Sequence, residues 1–410
     1  MTATLIVAGL DVSRITLYDV KVDCGRDDVE SQADASVLSA TLIELPSTIN
    51  VADAVSLVDA HGMLFHGYVT DLQADLEADD EGMAWAYSLT ATGPLAALGY
   101  VNVGAADYPQ ESDSQRVARV LTEAGAGHSV DPNIPGPQLL PRLAQLGRAQ
   151  ELARSAADDG QGVMWENPAD PVTPIRYTAQ RARRWAPGDL AWSELPADQA
   201  WADYGILTWA ELTSDYLPTE GFPPALEIDP ATTPARATFT QQIGDLARTV
   251  TVTYGAPGVE GGRPIVTLGE LEPVHDYDTQ LVTFADAVTY AGNMLRRSQE
   301  PAWRLSSLTV PLHKLTEEMR ARYRDSLTVG TKLTIPFPHG SPVGYVWEGF
   351  LEGWTHTLTP GVHDLELRTS ERSLTEPSDR WQDIGATITW AGTDPAMRWQ
   401  DAAQWREASR

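Results

Sequence analysis

A single cysteine, Cys24, is all the thiol chemistry in this chain of 410 residues. One cysteine excludes an internal disulfide and any thiolate metal cluster, and it suits a protein made in a reducing compartment. Bases are scarce as well: 29 Lys and Arg stand against 57 Asp and Glu, a formal net charge of −28. A protein that grips nucleic acid needs the reverse balance. The plain reading of the excess is a solvated acidic surface. No apolar run is long enough to span a bilayer as a helix, and the first residues lack the charged-then-apolar pattern of a signal peptide, so a soluble protein is expected. Phe is rare, six against thirteen Trp, while 32 Gly and 28 Pro favour strands and turns over a helical enzyme.

Catalytic signatures are missing too. There is no Gly-x-Ser-x-Gly elbow, no His-Glu-x-x-His zinc helix and no phosphate loop, since Gly258–Gly262 lacks the Gly-Lys-Ser/Thr ending and is a turn. His61 and His66 are five apart on an expected strand, hence on opposite faces, which disfavours a shared metal. The acidic stretch Asp75 to Gly82 has oxygens enough for Ca²⁺ but departs from the Asp-x-Asp-x-Asp-Gly loop, so it reads as a solvated hairpin tip. Asp158-Asp159 reads as a charged turn before Gly160, because adjacent carboxylates do not set the separation that glycoside hydrolysis needs. No catalytic, cofactor or metal residue is assigned.

What is present is a chain of strands with a few well-capped helices. From Thr283 to Arg372 the pattern predicts a helix capped by Thr283 and Asp286, a strand over Trp303–Leu312, a helix capped by Thr316, and strands at Thr331–Phe337, Gly344–His356 and Val362–Thr369. Thr359-Pro360-Gly361 makes the last turn. His363, Leu365 and Leu367 share one face of the final strand, and large apolar groups fill both faces of the one before it. Residues 1–102 read as an antiparallel β domain, with strands at Ile15–Cys24, Ser36–Leu45, Leu64–Leu76 and Met83–Ala91. Residues 103–184 read as an inserted α/β domain, with a helix capped at Ser112 or Asp113 and a second over Leu143–Ala157. Residues 226–372 form a second β domain with two helices.

Two Trp-headed repeats punctuate the chain. Trp192, Trp201 and Trp209 open related four-residue runs in the linker 185–225, and Trp381, Trp390 and Trp399 open a similar set in the C-terminal arm 373–410. These six residues are candidate interface anchors, as are Arg320, Arg322 and Arg324, basic groups clustered within an acidic protein. The Trp sets could instead stack on sugars, which would make a receptor-binding module.

A strand entering Gly353-Trp354-Thr355-His356, a Pro-Gly turn and a strand ending Leu365-Glu-Leu367-Arg-Thr-Ser370 resembles the C-terminal barrel of phage tail hub proteins. The run of strand, Gly25-Arg26, strand and Phe65-x-Gly-x-Val69 is similar to their first barrel. The likeness is to the minor tail proteins of long-tailed phages that infect actinobacteria, and more distantly to contractile baseplate hubs and type VI secretion spikes. The resemblance implies two antiparallel β-barrel or sandwich hub domains, a mainly β fold with an α+β insertion, and no enzymatic activity. It implies a homotrimeric, pseudo-sixfold ring at the tail tip, about 134 kDa for three chains of 44.6 kDa. The implied partners are the distal tail protein, the tape-measure protein's C-terminus, receptor-binding or fibre proteins, and DNA as a passing cargo repelled by an acidic lumen. A carbohydrate-binding tail module, a cell-wall hydrolase and the hexameric distal tail protein remain as alternatives.

Overall fold

The computed structural model describes residues 3–375 apart from 30, 80–81, 135, 181–224, 231–232, 234, 242–246, 258–261, 270, 299–302, 338–340 and 344. Both Trp repeats, headed by Trp192, Trp201, Trp209 and by Trp381, Trp390, Trp399, lie outside the described residues.

The architecture is mainly β with an α+β insertion, and a sheet of 13 strands runs through both the N-terminal and the C-terminal β regions. From one edge the order is Arg236–Thr240, Arg304–Pro311, Val362–Glu371, Val346–Thr359, Thr16–Gly25, Val37–Leu42, Gly82–Thr92, Gly62–Asp79, Ala54–Asp59, Thr4–Val7 and Leu10–Asp11. Lys332–Pro336 also pairs with Val346–Thr359 and takes Leu226–Glu227 alongside it in parallel. The N-terminal and C-terminal β regions meet in an antiparallel ladder from Gly25 opposite Gly353 to Val20 opposite Leu358.

Local chemistry explains these elements. Pro360-Gly361 closes the hairpin between Val346–Thr359 and Val362–Glu371, with Gly361 at φ +80° where Pro sets the first turn angle and Gly accepts the second. Val362–Glu371 buries His363, Leu365 and Leu367 in alternation. Its partner strand is buried on both faces over most of its length, which accounts for apolar side chains at both parities. The ladder slips between Leu351 and Gly353, leaving Glu352 as a bulge. Helix α1 (Asp113–Glu123) starts with a full capping box from Ser112 and Gln115. Helix α3 (Phe284–Ser298) is started by Thr283, whose hydroxyl accepts the Asp286 N–H, and α4 (Glu317–Asp325) by Thr316, which accepts from Met319 N.

One apolar core underlies both β regions and takes in Trp165 from the insertion. A second core joins α1 and α2 (Ala149–Asp159) to the three-stranded sheet of Ile265–Gly269, Thr249–Thr253 and Val274–Asp278, and to α3. Residues 226–372 are thus divided between the two cores. Val250, Val252, Ala287 and Ala291 bury their side chains against the insertion rather than against the second β region. The helix expected from Leu143 begins instead at Ala149. Nothing near Leu143 caps a helix, and Gly147-Arg148 is taken up by a short pairing with Asn102–Val103.

Candidate functional site: the seam between the two β regions

The seam is built on residues with little freedom to move. Arg26 follows Gly25 at the end of the Thr16–Gly25 strand and turns inward, where its Nε meets Glu352 Oε2 at 2.6 Å. Both side chains are buried. Arg26 Nη1 also donates to the carbonyls of Val29 (3.0 Å) and Ser31 (3.1 Å), and the second Glu352 oxygen accepts the Ser370 hydroxyl. The bulge aims Glu352 at the seam, the re-aiming for which such irregularities are used. Because each charge has several partners, the pair offsets its own desolvation, but neither half can be buried alone. Arg368 stitches the same place from the next strand, donating to Asp23 Oδ1 (2.6 Å), the Cys24 carbonyl (2.7 Å), the Arg26 carbonyl (3.0 Å) and Thr355 Oγ1 (2.8 Å). The Cys24 thiol lies beneath, its pKa pushed up to about 12 by burial, so it packs rather than reacts.

Four of the eight histidines gather at the other end of the seam. Arg324 Nη1 lies 3.2 Å from His356 Nε2, and His356 Nδ1 lies 3.0 Å from His363 Nε2. His313 Nδ1 accepts the His363 backbone N–H at 3.3 Å and stands 3.5 Å from Asp364. His61 Nε2 meets Glu317 at 3.1 Å. Asp59 closes the group, 3.8 Å from Arg324. His61 sits in the turn between two strands rather than on a strand, and it does not share a site with His66. Among the described residues no three His, Cys, Asp or Glu side chains are placed to hold a metal ion.

The insertion reaches the seam through Glu166 and Trp165. Glu166 is buried and accepts the backbone N–H of Ser36 (2.8 Å) and that of Leu95. Burial raises its carboxyl to about 7, although these hydrogen bonds favour the ionised form. Trp165 stands edge-on to Trp354 at 6.1 Å. Asp159 does not sit in a charged turn: it ends α2 and is buried. Desolvation, with Asp158 beside it, raises it to about 7. It lines a cavity of about 30 Å³ with Asp113, Tyr290 and Asn293, room for roughly one water.

The three arginines expected at an interface separate. Arg322 is exposed. Arg320 turns back onto the Leu315 carbonyl (2.9 Å) and Glu317 (3.1 Å). Arg324 faces its own chain's seam, where burial lowers its pKa. An open groove of about 650 Å³ beside α1 is lined by Tyr108, Glu111, Arg119 and Glu123. Glu111 is held by Arg116 (2.5 Å) and Arg119 (2.8 Å), while Glu123 accepts Tyr108 Oη at 2.7 Å and its pKa is lowered by that bond. Held in this way, Glu123 is a poor general acid.

The Gly62–Asp79 and Gly82–Thr92 strands project beyond the sheet, and Asp75 and its neighbours lie along this ladder rather than in a cation-wrapping loop. No helix among the described residues is long and apolar enough to cross a membrane.

No protein-family model matches the chain, and no curated protein does. Solved structures do. The 43 kDa tail protein of prophage MuSo2 from Shewanella oneidensis superposes with a TM-score of 0.57 at 11% identity, over 91% of this chain and 99% of that one. The tail protein from Neisseria meningitidis MC58 gives 0.58 at 12%, over 92% and 98%. The fold is that of phage tail proteins, shared along nearly the whole length.

Proposed function

We propose that this chain is a non-enzymatic structural protein of a phage tail tip, the hub that ends the tail tube. The observation that carries the reading is the end-to-end match in fold to two phage tail proteins. The seam supports it: a continuous sheet, a buried ion pair and a shared core fix two β regions side by side. A subunit with two such regions can contribute two positions to a ring, so three subunits match a sixfold tube. On this reading the partners are the distal tail protein, the tape-measure protein's C-terminus and receptor-binding or fibre proteins. The net charge of −28 suits a lumen through which DNA slides without sticking. The site is the virion's tail tip, and the kinship with long-tailed actinobacteriophages belongs to this proposal.

Electron microscopy of the concentrated protein tests it. Two-dimensional averages with threefold or pseudo-sixfold symmetry around a hole are expected. Six identical subunits per ring would identify a distal tail protein instead. Glycan binding by a monomer without ring formation, lost on mutating Trp201 and Trp390, would replace the hub with a carbohydrate-binding module.

A further inference from the structure

The hairpin of Gly62–Asp79 and Gly82–Thr92 leaves the body of the protein as an arm. Val37–Leu42 flanks its second strand only from Thr92 to Tyr87, and Ala54–Asp59 flanks its first only as far as Tyr68. Among the described residues, the ladder from the Asp75–Ala86 pair outward has two strands and no neighbour on either side. A two-stranded ribbon alone is marginal in water.

One face of this ribbon is apolar. Leu72 opposite Leu89 begins in the core, Ala74 opposite Tyr87 follows, and Leu76 opposite Trp85 carries the stripe outward. Leu89 is buried, whereas Leu76 and Trp85 are 52% and 51% exposed. The stripe therefore carries the core's surface out into solvent, where a protruding edge would ordinarily carry Lys. The charge is equally one-sided: Asp71, Asp75, Glu77, Asp79, Asp80 and Glu81 are acidic, and residues 70–92 hold no Lys, Arg or His.

We propose that this arm docks into a different protein of the assembled tail, one that presents an apolar groove rimmed by Lys and Arg. The charge selects the occupant. Net charge does not stop copies of this chain from meeting in a ring, but the surface that a second copy offers the arm is predominantly acidic, and DNA or an anionic membrane repels it as well. A basic rim is attracted, and a half-exposed Trp beside a Leu is the type of anchor that dominates such contacts. The proposal rests on the tail reading above.

The test places the photo-cross-linker p-benzoylphenylalanine at position 85 of the full chain and irradiates purified tail particles. The expected product joins this 44.6 kDa chain to a different protein whose contact peptide is basic. A product joining two copies, or no product although the chain is present in the particles, overturns the proposal. Absence of the chain from the particles overturns the tail reading instead. Asp71→Lys with Asp75→Lys supplies the second measurement, since both side chains are exposed on the ladder and the change should leave the fold intact. Yield of the cross-link should fall about tenfold or more, with melting temperature and ring formation unchanged. An undiminished yield would remove the electrostatic basis for choosing a basic partner.

Discussion

His356 donates from Nδ1 to Nε2 of His363 across 3.0 Å, in the wall between the two β regions. The direction follows from Arg324, which lies 3.2 Å from His356 Nε2 and can only donate. His356 must accept there, carry its proton on Nδ1 and pass it toward an unprotonated His363 Nε2. The chain of donors fits two neutral rings, and a further proton on either would set N–H against N–H.

That geometry makes the seam acid-sensitive. Burial drives the pKa of His356 well below its ordinary value and that of His363 to about 4, with Arg324 adding to both. Asp59 opposes the shift of His363, while His313 and Arg320 reinforce it. Since the folded pKa is depressed, the contribution is complete above the unfolded value near 6.5 and is lost as pH falls toward 4. Glu166 runs the other way. Its folded pKa is raised, to about 7, so its ionisation erodes stability as pH climbs from about 4.5. The wild-type profile mixes the two, and the variants separate them. In urea titrations between pH 4.5 and 7.5, His363→Gln should remove an acid-side loss of about 3 kcal/mol, and Glu166→Gln should flatten the alkaline-side decline. Curves parallel to wild type would refute the assignment.

The Arg26–Glu352 pair is tested by breaking one half at a time. Arg26→Met leaves Glu352 buried without its cation, and Glu352→Gln leaves Arg26 without its anion. Each single change should cost about 3–5 kcal/mol in chemical denaturation. Joined in one chain, they should cost clearly less than their sum, because the second removes a charge that the first has stranded. Additive losses would mean that the two residues act separately.

Much of this fold is legible in the sequence, and the limits have physical causes. Thr283 with Asp286, Thr316 and Ser112 announce helix starts because capping is a local exchange between neighbours. The Pro360-Gly361 hairpin and the alternation of His363, Leu365 and Leu367 are local too. Ala54–Asp59 is harder to see because its last buried position is a carboxylate. The Thr249–Thr253 strand shows its period clearly, but period does not say which core it joins. The seam is least visible: Arg26 and Glu352 are 326 residues apart, and nothing beside either names the other. The one signal is Glu352 itself, a charged residue inside a run whose neighbours are all buried.

Two glycines with almost the same backbone angle should respond differently to one methyl group. Gly25 has φ +85° and Gly361 has φ +80°, both in the left-handed region that costs an L-residue roughly 1–2 kcal/mol. At Gly361 a Cβ would meet nothing within 4 Å, so Gly361→Ala should cost about that and no more. At Gly25 the same atom would fall 2.5 Å from Gly353 Cα and 2.6 Å from the Glu352 carbonyl oxygen. Those are backbone atoms of the strand that pairs across the seam, held by the register from Gly25–Gly353 to Val20–Leu358. They can retreat only by parting the ladder and drawing Glu352 away from Arg26. Gly25→Ala should therefore destabilise the protein by several kcal/mol more than Gly361→Ala in parallel denaturation curves, the range expected when strain adds to a broken buried pair. Equal losses would mean that the two strands are not locked where the β regions meet, and the seam would lose its claim to fix them.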